Sequence, residues 1–298
     1  MKISTALWGL LLGFSFMACE TGGDNGGFLP TASGYDYKIL KSEGGEKPSP
    51  GDYAYFHAYF YIQDSMLQST RQLGQEPSLQ VPKEGEAAAS GPVEEVLGFM
   101  GVGDSALVRM HLDSLPQRPP EFADAEYIHY YIALERFLTE DEFKAEQQAR
   151  MMEQKAVMDA TIARAPEVVA AAQATREQYL AGSLTDLQST ETGLKYVLHD
   201  PGSGADADPG RQVSVNYVGM LTDGTIFDQS FERGSPIPFQ LGTGQVIRGW
   251  DEGLDLLKDG GKATFFIPSD LAYGEQGRPG SIPGGAELVF YVELEEVK

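Results

Sequence analysis

The sequence predicts an α+β fold, in which two β-rich stretches are separated by a long helical segment. Residues 213–220 alternate apolar and polar side chains as a half-buried strand does, and the Asp-Gly pair at 223–224 predicts a hairpin turn after it. Trp250, Leu254 and Leu257 have the i, i+4, i+7 spacing of one short amphipathic helix. With further strands at 263–267 and 288–294, this pattern predicts a curved antiparallel sheet wrapped over one helix.

The two β-rich stretches resemble each other, which predicts a duplicated domain. Four pairs of segments match in the same order along the chain, and such an order is hard to obtain by chance. The pairs are 33–39 with 192–198, 50–51 with 209–210, 103–108 with 260–265, and 131–135 with 291–295.

The segment between the two stretches predicts helices. Thr139 and Glu142 form a capping-box pattern, and strong helix formers follow to about Arg164. Pro166 is expected to end or kink this helix, and a second helix then runs from Glu167 to about Leu180. Apolar residues fall partly on one face, which suits either a spacer arm or a dimer contact: Phe143, Met151, Met158 and Ile162.

The composition excludes several classes of function. With 22 basic and 44 acidic residues the formal net charge is -22, which disfavours nucleic acid as a partner. The chain has one cysteine, so no intramolecular disulfide forms. The four histidines are scattered along the sequence, and we expect no metal site.

The N-terminus is typical of an export signal. Lys2 precedes an apolar run of residues 6–18, which is too short to span a bilayer as a helix. Residues 16–19 resemble a bacterial lipobox, so we expect Cys19 to be acylated; a plain secretory signal is the alternative. Contact with the membrane is then through the lipid anchor only. Glu20 favours the outer membrane of the cell envelope.

Residues 210–296 resemble FKBP-type peptidyl-prolyl cis/trans isomerases over a whole domain. The matching segments are 217–224, 227–228, 245–250, 272–274, 282–283 and 288–290. The resemblance implies a half-open sheet whose concave face, closed by the helix, forms an apolar pocket for a proline ring. It implies no cofactor, and its substrates are X-Pro bonds in unfolded or maturing proteins.

The resemblance also implies roles for individual residues. Asp228, Tyr273 and the backbone N–H of Ile247 are expected to act on the peptide carbonyls, while Trp250 forms the floor of the pocket. Arg233 orients Asp228, and Ile237 replaces a pocket-edge aromatic residue. The remaining expected substrate-binding residues are Tyr217, Phe227, Val246, Ile282 and Phe290.

The first copy lacks this pattern, and we expect an FKBP-like fold without a competent pocket. The ungapped match places Ala58, Gln68 and Ser69 opposite Tyr217, Phe227 and Asp228. Val93 stands near the place of Trp250, and residues 115–120 replace the Ala-Tyr-Gly loop. The predicted organisation is a signal peptide (1–18), a tether (19–30), a degenerate FKBP-like domain (31–138), a helical linker (139–183) and a catalytic domain (184–298).

The leading functional hypothesis is therefore an isomerase that assists protein folding outside the cytoplasm. One alternative is a folding chaperone in which the first domain and the helical arm bind clients. Another is a binding module that recognises proline without turnover, against which the complete set Asp228, Trp250 and Tyr273 argues.

Overall fold

The structure, a computed structural model, describes residues 27–74, 76–83, 85, 91–114, 122 and 124–298. The predicted signal peptide, Cys19, most of the tether and the loop at 115–120 lie outside these residues. The chain divides into two units, one ending at Gln147 and the other spanning Gln148–Lys298. No helix in the described part is long and apolar enough to cross a membrane.

The first unit is one antiparallel sheet with a short helix. The strand order is β1-β2-β6-β7-β3-β4, and β5 pairs with the other end of β3. Helix α1, Pro92–Leu97, begins with proline at a position where a helix needs no N–H donor. The strands are β1 (Leu29–Pro30), β2 (Asp36–Lys41), β3 (Tyr53–Ile62), β4 (Ser65–Ser69), β5 (Ser78–Gln80), β6 (Ser105–His111) and β7 (Tyr127–Leu138).

The aromatic strand β3 belongs mainly to the core of this unit. Ala54, Phe56 and Ala58 are buried with α1 residues such as Val96 and Leu97. Tyr59 and Tyr61 point to the other face and are half-buried. The strand therefore contributes to packing on one face and leaves aromatic side chains partly accessible on the other.

The second unit repeats the same topology. Its strand order is β8-β9-β13-β14-β10-β11, with β12 paired to β10, and this order matches the first sheet strand for strand. Helix α3, Arg248–Leu254, occupies the place of α1. The strands are β8 (Gln188–Ser189), β9 (Lys195–Asp200), β10 (Gln212–Leu221), β11 (Ile226–Gln229), β12 (Ile237–Gln240), β13 (Lys262–Ile267) and β14 (Leu288–Val297). Two antiparallel sheets joined in the chain by a long helix confirm the predicted fold class.

That long helix, α2, spans Glu140–Leu180. The capping box at its start is formed: Thr139 N donates to Glu142 Oε2 at 2.9 Å, and Glu142 N donates to Thr139 Oγ1 at 3.3 Å. The prediction that a second helix starts after Pro166 is wrong, because α2 continues through Pro166 as one helix; a kink at Pro166 stays a prediction. Proline removes one hydrogen bond from a helix, and tertiary packing around it compensates here.

The packing that holds this part of α2 lies on the outer face of the second sheet. Ala165, Val168 and Ala172 are buried against Val218, Phe231, Phe266 and other apolar side chains of that face. Small side chains at these positions let the helix lie close to the strands. The sheet is consequently covered on both faces, by α3 on the inner face and by α2 on the outer face.

Polar contacts fix α2 at two points of this outer face. Arg164 donates to both carboxylate oxygens of the buried Glu293, at 2.7 and 2.9 Å. Near the end of the helix, the Tyr179 ring stacks on Phe266 with a centroid distance of 3.8 Å, and its hydroxyl donates to Glu287 at 2.9 Å. Residues 164–179, assigned from the sequence to a linker, are thus packed on the second sheet.

Candidate active site

A pocket of about 160 Å³ opens between the inner face of the second sheet and the start of α3. Strand β10 supplies one wall and β14 another, and the loop after β13 closes the third side. The lining residues are Tyr217, Phe227, Asp228, Ile237, Gln245, Val246, Ile247, Trp250, Tyr273, Arg278 and Phe290.

Trp250 forms the base of this pocket. Its side chain is 3% exposed, and the rings of Tyr217 and Phe290 meet it edge-on at centroid distances of 5.1 and 5.3 Å. Its indole Nε1 is buried and has no hydrogen-bond partner within the described part of the chain. The base is therefore an aromatic surface whose one polar atom is the indole Nε1 of Trp250.

A three-residue network stands at the pocket rim. The Tyr217 hydroxyl donates to Asp228 Oδ2 at 2.5 Å, and Arg233 Nη1 donates to Asp228 Oδ1 at 2.7 Å. Arg233 Nη2 also donates to the Tyr217 hydroxyl at 2.9 Å. Both oxygens of the carboxylate are thus engaged, and their direction is fixed relative to the aromatic base.

This network sets the protonation states of its members. Burial acts to raise the pKa of Asp228, but the hydrogen bonds from Tyr217 and Arg233 and the Arg233 charge outweigh it, so the pKa lies below the ordinary 3.8. Burial, followed by the bond to Asp228, raises the pKa of Tyr217 to about 12. At neutral pH the aspartate is ionised and the phenol is protonated.

Two buried polar residues behind the wall were not foreseen from the sequence. The Ser230 hydroxyl accepts a hydrogen bond from Tyr217 N at 2.8 Å and donates to Asn216 Oδ1 at 2.7 Å. Both side chains are almost completely buried. They fasten the end of β11 to β10, which fixes the spacing between Tyr217 and Asp228.

The other two residues predicted to supply polar groups, Ile247 and Tyr273, lie on different segments of the second unit. Ile247 has extended backbone angles and precedes the first turn of α3, where N–H groups lack partners inside the helix. Tyr273 lies between two 3₁₀ turns, Ser269–Leu271 and Gly274–Gln276. Ile247 and Tyr273 line the same cavity as Asp228.

The structure places most predicted site residues in this one cavity, with two differences. Ile282 is buried in the core of the second unit and is not among the described lining residues. Arg233 contacts the site through Asp228 and Tyr217 and does not line the cavity. Gln245 and Arg278 also line it.

The matching position of the first unit is filled by an aromatic side chain. In the second sheet Gly219 lies opposite Phe290, and in the first sheet Phe60 takes the place of that glycine opposite Tyr130. The Phe60 and Tyr130 rings meet edge-on at 5.3 Å. The strand register also pairs Phe60 with Gln68, as Gly219 is paired with Asp228. The ungapped match is therefore one residue out on this strand, and Gln68 rather than Ser69 takes the place of Asp228. The described part of the first unit thus carries a phenylalanine and an amide where the second has a glycine and the rim carboxylate.

Comparison with known proteins assigns the family. A family model described as FKBP-type peptidyl-prolyl cis-trans isomerase matches residues 204–295. Peptidyl-prolyl cis-trans isomerase FPR2 of Saccharomyces cerevisiae is 51% identical over 120 residues, which are 40% of this chain and 87% of the yeast protein. The chain belongs to the FKBP family. Its second unit contains the FKBP domain, and the chain is a peptidyl-prolyl cis-trans isomerase.

Bacterial proteins named FkpA match as well. FkpA of Aeromonas hydrophila is 51% identical over 120 residues, which are 40% of this chain and 44% of that protein. The crystal structure of FkpA from Escherichia coli is 38% identical and covers 54% of this chain and 74% of the other, with a TM-score of 0.38. The described residues contain no cluster of three or more His, Cys, Asp or Glu side chains that is placed to hold a metal ion.

Proposed function

We propose that the pocket above Trp250 is the catalytic site and that it isomerises X-Pro bonds in unfolded or maturing proteins outside the cytoplasm. The observation that carries the proposal is an aromatic pocket with one oriented, ionised carboxylate at its rim. A proline ring is small, apolar and rigid, and this cavity offers it a base of indole and walls of phenyl rings.

The reaction demands little chemistry from the protein. Amide resonance creates a barrier of about 18–20 kcal/mol to rotation about the peptide bond. Rotation breaks no covalent bond, so it needs no nucleophile, proton transfer or cofactor. The twisted transition state has lost conjugation, and its carbonyl is less dipolar than that of the planar amide. A site of low polarity therefore binds the transition state better than the ground state.

Three groups are assigned to orient the substrate. The N–H of Ile247 holds one carbonyl of the bound chain and the Tyr273 hydroxyl holds another, which fixes a turn in which rotation is easy. Asp228 faces the carbonyl that rotates, with its direction set by Tyr217 and Arg233. Trp250 and the other wall residues hold the proline ring and exclude water.

The test is a double substitution, Asp228→Ala with Tyr273→Phe, assayed on a proline tetrapeptide. Loss of two oriented polar groups, each worth about 1 kcal/mol, is expected to lower kcat/KM at least about tenfold. The control is Asp270→Ala on the neighbouring turn, which is not among the described residues lining the pocket. Full activity in the folded double variant would refute these assignments.

A second candidate function, a client-binding chaperone, is favoured by a groove in the first unit. A groove of about 570 Å³ lies on the outer face of that sheet and includes Leu40, Tyr59, Tyr61, His129 and Tyr131. In the second unit the corresponding face is covered by α2. A partly aromatic face is suited to apolar segments of unfolded chains.

The two functions are separable in the same protein. The double variant Asp228→Ala with Tyr273→Phe is expected to lose tetrapeptide isomerisation and to keep suppression of aggregation. The substitution Tyr131→Asp is expected to do the reverse, because Tyr131 is 40% exposed and distant in sequence from the pocket. If both activities fall together in either folded variant, the separate chaperone site is refuted.

Cys19 supports a proposal for the location of the protein in the cell. We assign Cys19 as the acylated first residue of the mature protein, anchored in the cell envelope and most simply in the outer membrane. Labelling with a radioactive fatty acid is expected in the wild type and lost in Cys19→Ser.

A homodimer through α2 is a further proposal, supported by exposed apolar side chains such as Met151. Light scattering of residues 27–298 tests this proposal.

A further inference from the structure

A second groove lies beside the proline pocket and is larger than it. It has a volume of about 530 Å³ and runs between the first half of α2 and the loop that connects β11 to β12. We call it the flanking groove. Its lining residues are Arg150, Glu153, Gln154, Val157 and Met158 of α2 and Gly234, Ser235 and Pro236 of the loop.

The loop that forms one wall of the flanking groove also belongs to the active site. Arg233 bonds Asp228 at 2.7 Å, and Ile237 lines the proline pocket. The three residues between them line the flanking groove. One short loop thus separates the two cavities, so a polypeptide held in the pocket has only this loop to cross before it meets the groove.

The loop is seated closely against α2. Gly234 caps the 3₁₀ turn Phe231–Arg233 with φ of +72° and contacts the Met158 side chain. A Cβ on Gly234 would lie 3.0 Å from Ile162 Cγ1, so only glycine fits this approach. Phe231 at the start of the turn is fully buried beneath α2. The shape of the groove is therefore fixed by tertiary contacts.

The chemistry of the groove favours an apolar segment of polypeptide. Val157 is 62% exposed and Met158 is 39% exposed, although both are apolar side chains at the edge of a cavity. Methionine adapts its shape to different partners, which suits a surface that binds many sequences. Arg150 and Glu153 contribute charges of opposite sign, so the groove has little preference for the charge of its ligand.

We propose that the flanking groove binds apolar side chains of the client chain near the proline that is being isomerised. The proposal rests on the assignment of the proline pocket as the catalytic site. It makes Val157, Met158 and Pro236 determinants of substrate preference: long unfolded chains occupy pocket and groove together, whereas a tetrapeptide occupies the pocket alone.

The experiment compares two substitutions in residues 27–298 on two substrates. Val157→Asp puts a charge into the groove, and Met152→Asp puts the same charge on α2 outside the described lining, at a side chain that is 66% exposed. Each is assayed on a proline tetrapeptide and on the proline-limited refolding of an unfolded protein. Light scattering of each variant reports its oligomeric state.

Val157→Asp is expected to lower kcat/KM for the refolding substrate at least about fivefold more than for the tetrapeptide, as loss of an apolar subsite contact does. Met152→Asp is expected to leave kcat/KM unchanged for both substrates. Equal losses on both substrates, or equal effects of the two substitutions, would overturn the proposal. Dissociation of a dimer by Val157→Asp alone would assign the groove to a second copy instead. Absence of tetrapeptide catalysis in the wild type would refute the catalytic site itself, and this outcome is distinguishable from the others.

Discussion

Gly219 lies directly across the strand pair from Phe290, and the absence of a side chain at Gly219 makes room for the Phe290 ring. A Cβ at this position would stand 2.6 Å from Phe290 Cε1 and 2.9 Å from Phe227 Cε2. The same two rings meet edge-on at a centroid distance of 5.5 Å and form walls of the proline pocket. The glycine is therefore a condition for the shape of the pocket.

Gly219→Ala is expected to lower both activity and stability. The added methyl group displaces one or both rings, and overpacking of this kind costs about 1–3 kcal/mol of unfolding free energy. Tetrapeptide kcat/KM and urea denaturation measure the two effects. Gly219 has no positive φ, so alanine there adds ring displacement without backbone strain. Gly193→Ala, where φ is +93° and the new Cβ meets no atom within 4 Å, adds strain alone and is expected to leave tetrapeptide kcat/KM unchanged. Retained activity in Gly219→Ala would contradict the role assigned to this contact.

Arg233→Met is expected to raise the pKa of Asp228. The substitution removes a hydrogen bond and a positive charge that favour the ionised carboxylate, while the burial that opposes ionisation remains. Carbon-detected NMR of the Asp228 carboxyl through an acid titration measures the shift. Lys258→Met, which removes an exposed ion pair with Asp206, is the control. An unchanged Asp228 titration in Arg233→Met would show that the guanidinium does not set the state of the carboxylate.

Catalysis is expected to be independent of pH between about pH 5 and pH 9. Asp228 has a pKa below 3.8 and Tyr217 one of about 12, so neither group changes its state in this range. A depressed carboxyl pKa contributes stability that is present above the unfolded value and is lost as the pH falls through the folded value. Activity should accordingly fall on the acid side as the pH passes through the folded pKa of Asp228, and again only near pH 12, where Tyr217 ionises. A bell-shaped profile centred near neutrality would contradict the assigned protonation states.

Arg164→Met is expected to destabilise the second unit. Within the described part of the chain, the substitution leaves the buried Glu293 carboxylate with only the Tyr291 hydroxyl at 2.7 Å and Lys262 at 3.4 Å as polar partners, and it costs about 2 kcal/mol. Lys155→Met breaks an exposed pair on the same helix and should cost less than about 0.5 kcal/mol.

The loss of unfolding free energy caused by Arg164→Met should be smaller at acidic pH. Burial acts to raise the pKa of Glu293, and the Arg164 bond and charge hold it below the ordinary 4.5 in the wild type. Without arginine the carboxyl protonates more readily, and the protonated form is tolerated in a buried place. Urea denaturation at pH 7 and at about pH 4 measures the change. Equal losses at both pH values would show that the ion pair is not the cause.

The sequence predicted the residues that line the pocket better than the residues that hold them in place. Trp250, Asp228 and Tyr273 occur in short segments with a recognisable order, so their convergence on one cavity was foreseeable. Asn216 on β10 and Ser230 just after β11 were not foreseen, because a buried polar residue has the same local sequence pattern as a solvated one. Ile282 stands next to pocket segments in sequence, but the turn around it directs the side chain into the core.

The course of α2 could not be inferred from local rules. Proline at position 166 predicts a break, and only the burial of Ala165, Val168 and Ala172 against the sheet shows why the helix continues. These contacts lie more than 20 residues away in sequence. A second unit that starts at residue 184 would lose this cover and expose Val218 and Phe266, so experiments on the isolated unit should begin at Gln148.

We propose that the pocket above Trp250 carries the isomerase activity of the chain. Trp8 and Trp250 are the two tryptophans of the sequence, so in residues 27–298 the tryptophan fluorescence reports the pocket directly. The decisive measurement is isomerisation of a proline tetrapeptide by this chain and by its Trp250→Leu variant, with fluorescence recorded as the wild type binds the peptide. We expect catalysis by the wild type, a fluorescence change on binding, and a large loss of kcat/KM in the variant. Equal catalysis by the two folded proteins would contradict this proposal.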